Sequence, residues 1–362
     1  MRINTKSFFI ATILLFAAGC TCSPSREGHG TAESASDKPQ VTVNLAIWSN
    51  YITDELLEQF TKEHHVKVNV TNYAANEELL AKLLAGANGI DVAVPSDYMI
   101  LAMTNLDLLQ PLDHSKLPNE KDVGPEFLRK PFDPENKYTL PYSWTFSGIA
   151  LNRRHFKGDV TGWADLLNKP ELKGKISLLD DARETLGIAL RTLGFSINTT
   201  SAEELAQAKK YLADRRLQVR AFNSEPMDSI MRGEVFAAHI YSCDALQAAK
   251  KTNGDVELFI PNEGGVMGLD NLVIPKTAAH VAEAHLLINF LLTKAVSKAR
   301  VIATYASPIL KGVRDELPAE FKDNALLFPE PKQMAKYENL RDLGDATVNY
   351  DKAWTDLKAG AG

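Results

Sequence analysis

The sequence predicts an α/β fold made of two lobes, with a cleft between them and the chain crossing twice from one to the other. Three observations predict it. Residues 41–109 alternate strand and helix three times, the order of a parallel sheet wound with helices. A second set of strands and helices begins after "YTLPYSWTFSGIALN" and extends to the apolar helix near Leu292. The 362 residues, 45% hydrophobic and 24% charged, are enough for two or three domains, each with its own core.

The first residues stand apart from that fold. "MRINTKSFFIATILLFAAGC" carries Arg2 and Lys6, then an apolar run over 8–18, then small residues before Cys20. Such a run is too short to span a bilayer and fits a secretory signal over 1–19. "AAGC" resembles a lipobox, which implies cleavage and lipidation at Cys20, although Ala17 replaces the usual Leu. The other reading is a plain signal with an incidental cysteine. Residues 20–40 include the polar, small-residue stretch "SPSREGHGTAESASDKPQ", expected to be a flexible tether behind a lipid anchor. Cys20 and Cys22 lie too near the cleavage point to staple a fold, which leaves Cys243 unpartnered. No later run is long and uncharged enough to cross a membrane; "AEAHLLINFLLTKAV" is interrupted by Glu283, His285 and Lys294.

The first lobe follows element by element. Residues 41–47 alternate and are rich in Val, Leu and Ile, so they form a strand. Asp54–His64 repeats apolar residues at Leu56, Leu57 and Phe60, a helical spacing that Thr53 can cap. "VKVNVTNY" is a second strand, residues 77–87 a second helix with Leu79, Leu80, Leu83 and Leu84 on one face, and "IDVAVPS" a short buried strand. Residues 98–109 are a third helix. Right-handed crossovers put these strand ends on one side, where ligands of such sheets sit. "WSNY" follows the first strand and "PSDY" the third, so Trp48, Ser49, Tyr51, Ser96 and Tyr98 are candidates for the cleft. Aromatic faces there can attract ammonium groups or simply pack under the interlobe surface.

In the second lobe "KISLL" is a strand, 182–193 and 203–214 are helices, and "EVFAAHIYS", "VELFIPNEGG" and "LDNLVIP" are strand-like. "SLLDDARETLGIAL" sets Asp180, Asp181 and Glu184 at a strand-to-helix junction. Asp181 and Glu184 also have the spacing of a capping box, with Glu184 reaching back. Asp244 and Asp270 sit just past probable strands. Several acids and aromatics with hardly any Lys or Arg nearby suit a cation, since a buried ammonium requires carboxylate partners. Arg183 is the exception, expected on the helix surface pointing away.

A net charge of −6 argues against a nucleic-acid footprint. There is no P-loop, no GxGxxG after a strand, no HExxH and no spaced Cys/His set, so neither a cofactor nor a metal is expected. Paired carboxylates could serve a hydrolase, but nothing marks one of them as the acid.

"WSNYITDELLEQFTKE", "DVAVPSDYM", "KPFDPENKYTLPYSW", "TGWADLLNKPELKGKISLLDDARETLGIALRTLGFSINTT", "AFNSEPMDSIMRGEV", "EGGVMGLDNLVIP" and "LINFLL" resemble, in order, the spermidine/putrescine-binding proteins of bacterial ABC importers. The resemblance covers nearly all of the chain after the tether. It implies a periplasmic-binding-protein-like fold closing on a polyamine, with 41–146 plus 271–313 as one lobe and 147–270 plus 314–362 as the other. Together with the leader and the lipobox-like "AAGC", the expectation is an extracytoplasmic, monomeric, non-enzymatic receptor for putrescine or spermidine, anchored to the membrane only through lipid, with an inner-membrane ABC permease as partner. A receptor or sensor for another organic cation or small solute is the alternative, and a cell-surface hydrolase using Asp181 or Glu184 a more distant one.

By the same resemblance Trp48 stacks along the polyamine methylenes, with Ser49, Tyr51, Ser96 and Tyr98 around it. Asp181 and Glu184 are acids of the second lobe, Glu184 holding an amine, and Ser224 is a polar contact. Tyr241 stands where the family commonly has Trp, Asp244 matches an acid of putrescine-preferring members, and Asp270 anchors a terminal ammonium. Glu338 stands where spermidine-preferring members often carry Gln. The chain departs from the pattern at Gly268, which replaces a stacking Trp, at Asn50, which is acidic in many members, and at Asp97, an added acid.

Overall fold

A computed structural model describes residues 41–86 and 89–360; the expected signal, Cys20 and the tether lie outside the described residues. Strand β1 (Thr42–Trp48) buries Val43, Leu45 and Ile47, and helix α1 (Asp54–His64) packs Leu56, Leu57 and Phe60 into the same core. The helix stops at His65, whose backbone is left-handed (φ 55°). Thr53 holds the N-cap position without a side-chain capping bond. Strand β2 (Lys67–Tyr73) and helix α2 (Asn76–Leu84) follow, then β3 (Val92–Ala93) and α3 (Asp97–Asn105). The three strands form a parallel sheet in the order β2-β1-β3. β2 is an edge strand: Val70 is exposed, and only Tyr73 at its end is buried.

Strand β4 (Leu140–Asn152) carries the chain out of this lobe. The second lobe then builds α4 (Trp163–Asn168), β5 (Ile176–Leu178), α5 (Ala182–Thr192), α6 (Ala202–Asp214), β6 (Val219–Phe222), α7 (Met227–Met231), β7 (Ala237–Tyr241), α8 (Ser242–Lys251) and β8 (Val256–Phe259). β5 pairs in parallel with β6 and β7, while β4 runs antiparallel to β7 and β8. β9 (Val266–Leu272) returns antiparallel to the first half of β4, with Ser143 opposite Asp270 and Trp144 opposite Leu269. This β4–β9 ribbon is the pair of crossings between the lobes.

Back in the first lobe, α9 (Val281–Leu291) adds Leu287, Ile288 and Phe290 and α10 (Lys294–Thr304) adds Val296 to the β1–α1 core, where the Phe60 and Phe290 rings meet edge to face at 5.3 Å. Short helices α11 (Val313–Glu316), α12 (Ala319–Lys322) and α13 (Pro331–Met334) lead to β10 (Glu338–Asn339), which pairs with Val266 and Met267 of β9. Helix α14 (Thr347–Lys358) closes the second lobe, packing Tyr350, Ala353 and Leu357 into the core that Leu186, Leu190 and Leu212 of α5 and α6 share. Among the described residues no helix is long and apolar enough to cross a membrane.

Candidate ligand-binding site

The carboxyl ends of six parallel strands converge on one cavity between the lobes. Trp48 ends β1 with Ser49 and Tyr51 just beyond it, Tyr73 ends β2, and Ser96, Asp97 and Tyr98 follow β3. Asp181 and Glu184 follow β5, Ser224 and Glu225 follow β6, and Tyr241 and Asp244 lie at the β7–α8 junction. The ribbon supplies the floor, with Thr145 and Phe146 from β4 and Gly268 and Asp270 from β9. The cavity encloses about 860 Å³ of atom-free space, part of it open to solvent. Parallel strands end where loops are free to vary, which is why the ligand-facing side chains collect there.

Two kinds of side chain dominate. Among the described residues six acids (Asp97, Asp181, Glu184, Glu225, Asp244 and Asp270) line the cavity, and no Lys or Arg does. Six aromatic residues (Trp48, Tyr51, Tyr73, Tyr98, Phe146 and Tyr241) form much of the remaining wall. The Trp48 and Tyr73 rings lie 4.5 Å apart at 57°.

The acids are held by specific donors. Tyr51 Oη donates to Asp270 Oδ2 at 2.7 Å, and Ser96 Oγ donates to Asp270 Oδ1 at the same distance. Asn339 Nδ2 donates to Asp97 Oδ2 at 2.9 Å, tying the start of α3 to β10. Asn50, whose φ of 61° is in the left-handed region, donates to Asp244 Oδ1 at 3.3 Å across the lobes. Asp181 caps α5 by accepting from Glu184 N at 2.9 Å. The Glu184 side chain does not reach back to complete the capping box. It enters the cavity, with Oε2 3.3 Å from Nε2 of the fully buried His239.

Burial raises the carboxyl pKa of Asp97, Asp181 and Asp244 to about 7 in each case, and that of Asp270 to about 6. Nearby acids push in the same direction: Asp270 on Asp97, Glu77 and Glu184 on Asp181, and Glu225 on Asp244. The donors from Tyr51, Ser96, Asn339 and Asn50 work against burial. Arg300 and Lys251 also lower the pKa values of Asp270 and Asp244, but from outside the cavity lining, so acids with no cation beside them in the cavity gain from a ligand bringing positive charge.

Eleven of the twelve residues expected at the site border this cavity: Trp48, Ser49, Tyr51, Ser96, Tyr98, Asp181, Glu184, Ser224, Tyr241, Asp244 and Asp270. Glu338 does not, and its expected place is corrected. Arg191 Nη1 donates to its Oε1 at 2.8 Å and Ser196 Oγ to its Oε2 at 2.5 Å, which draws the carboxylate to the second lobe's surface. Arg183 is also corrected. It is buried rather than on the helix surface, donating to Arg341 O at 3.1 Å and Asn198 Oδ1 at 3.0 Å, with its guanidinium 4.8 Å from the Tyr350 ring centre. Asp270 lies within β9, not beyond it. Sequence reasoning passed over Tyr73, Asn76, Phe146 and Glu225. Tyr73 was accessible to it, because "VKVNVTNY" ends a parallel strand just as "WSNY" and "PSDY" follow theirs.

Comparison with known proteins gives a consistent result. A family model described as bacterial extracellular solute-binding protein matches residues 55–329. Spermidine/putrescine-binding periplasmic protein 1 of Haemophilus influenzae is 36% identical over 98% of this chain and 97% of its own length. The crystal structure of the spermidine/putrescine ABC transporter substrate-binding protein PotD of Streptococcus pneumoniae superposes with a TM-score of 0.75 at 30% identity, covering 89% of this chain and all of that one. The TpPotD lipoprotein of Treponema pallidum does so with a TM-score of 0.77 at 27% identity, covering 87% of this chain and 99% of that one.

Proposed function

This chain belongs to the bacterial extracellular solute-binding proteins, in the group of the spermidine/putrescine-binding proteins of ABC transporters, and we propose that its ligand is a polyamine held in the interlobe cavity. The observation that carries this reading is the cavity's composition among the described residues: six acids, no Lys or Arg, and six aromatic rings. Putrescine and spermidine are protonated at every nitrogen near neutral pH and joined by methylenes. Their charges need carboxylates and their chains need apolar faces, and the cavity offers both.

Asp270 anchors one terminal ammonium. Tyr51 and Ser96 use one acceptor site on each of its oxygens, and each oxygen keeps another for the ligand. Glu184 and Asp181 hold an amine from the second lobe, and Asp244 supplies a further acid to the cavity. Trp48, Tyr51, Tyr98 and Tyr241 stack along the methylenes, each cation–π contact contributing about 0.5–2 kcal/mol. The hydroxyls of Ser49, Ser96 and Ser224 add polar contacts. Specificity comes from the spacing of the acids, because a mismatched chain leaves a buried charge unpaired.

The bodies that close are 41–146 plus 271–313 and 147–270 plus 314–362, and the ligand favours closure through contacts made only when both engage it. The protein works as a monomer outside the cytoplasm, tethered by a lipid on Cys20, and hands the polyamine to an inner-membrane ABC permease without turning it over. The TpPotD likeness supports the lipid anchor, since that relative is a lipoprotein. A thermal-shift screen with putrescine, spermidine, amino acids and sugars tests the reading. Stabilisation by the polyamines alone is expected. Stabilisation by a sugar or a neutral amino acid instead, or formation of a product, overturns it.

A further inference from the structure

A second cavity adjoins the first. It encloses about 1580 Å³ of atom-free space, part of it open to solvent. Both draw on the β4–β9 ribbon: Phe146 and Asp270 border the first, while Leu269 and its cross-strand partner Trp144 border the second. They meet at the edge of β9, where Asp97, Tyr98, Met267, Gly268 and Leu340 border both. β10 covers that edge only as far as Met267. The next residue is Gly268, and a Cβ placed there would meet nothing within 4 Å. At the point where a side chain could wall one cavity from the other, there is none.

The second cavity differs in chemistry. Phe127, Phe132, Trp144, Leu269 and Met334 give it an apolar and aromatic wall. Glu126 and Asp342 are matched by Lys130 and Arg341, so its one unmatched charge is that of the shared Asp97. Nothing in it selects for a cation beyond the Asp97 it shares with its neighbour. It suits an uncharged ring, which buries a large area and stacks on or edges against aromatic neighbours.

We propose that the two cavities form one composite site, which accepts polyamines carrying an N-linked aromatic group. The ammonium groups occupy the acidic cavity, and the ring passes over Gly268 to lie against Phe127, Phe132 and Trp144. This rests on the polyamine reading above and names the ligand class more narrowly.

Calorimetry on the full chain with putrescine and with N-(1-naphthylmethyl)putrescine tests it. The naphthyl derivative should bind at least as tightly as putrescine. Met334→Arg places a charge in the second cavity alone; it should weaken the naphthyl derivative by about tenfold while putrescine stays within about twofold. Gly268→Trp should lower the affinity ratio of naphthyl derivative to putrescine by about tenfold, by filling the passage. Putrescine binding with the naphthyl derivative at least about tenfold weaker overturns the composite site and leaves the polyamine reading standing, as does a ratio that neither substitution changes. Absence of binding by putrescine and spermidine removes both.

Discussion

Tyr51 donates a 2.7 Å hydrogen bond to the buried carboxylate of Asp270, 219 positions further along the chain. With the Ser96 bond to the other oxygen, this fixes an acid of the crossing strand by two donors from the strand ends of the first lobe. A carboxylate held this way is a preorganised anchor, aligned before the ligand arrives. Asp270→Asn should therefore weaken putrescine and spermidine by more than about tenfold in calorimetry, the scale expected for a charge-assisted bond to a buried ammonium. Near-unchanged affinity would remove Asp270 from the anchoring role.

Tyr51→Phe tests the support rather than the anchor. The Tyr51 bond lowers the Asp270 pKa against the effect of burial, so its loss should raise that pKa above about 6. More Asp270 is then protonated at pH 6, while at pH 8 it is still ionised. Polyamine affinity should fall several-fold at pH 6 and less at pH 8. An equal loss at both pH values would show that Tyr51 acts by contact alone.

The raised acids set the pH dependence of binding. Without a ligand's charge, Asp97, Asp181 and Asp244 titrate near pH 7 and Asp270 near pH 6. A polycation favours their ionised forms and lowers these pKa values, so binding below about pH 7 releases protons. Affinity should rise by at least about tenfold from pH 5.5 to pH 8 and then level off, since one group with a pKa near 7 is already enough for such a factor. Calorimetry at pH 6 in buffers of different ionisation enthalpy should show proton release. A flat profile, or proton uptake, would contradict this account of the acids.

Glu338 is occupied elsewhere. Its pairing with Arg191 and Ser196 leaves it outside the cavity. Glu338→Gln should leave putrescine and spermidine affinities within about threefold of the parent and lower stability by no more than about 1 kcal/mol, as for a partly exposed ion pair. A loss above about tenfold for either ligand would return Glu338 to the site.

The first lobe was legible because each of its strands and helices has the period of its own structure, and strand-helix alternation imposes one topology. The same rule placed Trp48, Tyr51, Ser96 and Tyr98 at one edge. Applied to the second strand it would have added Tyr73. The errors share a cause: the partner lies far away in sequence. Arg183 looks like a surface residue on α5 until α14 brings Tyr350 against it and Arg341 and Asn198 accept its bonds. Glu338 is drawn away by residues 147 and 142 positions earlier. At the Asp181 and Glu184 junction the capping and cavity readings were not exclusive, because Asp181 caps with one oxygen while still facing the cavity.

The most direct test compares putrescine with 1-aminobutane, which has the same four-carbon chain and one charge fewer, by calorimetry at pH 8. Separated acids that each require a cation should make the monoamine bind at least about a hundredfold more weakly, because its uncharged end leaves a buried carboxylate unpaired. Comparable affinity for the two amines would mean that one ammonium and the aromatic walls suffice, which contradicts recognition by separated acids that each require a charge.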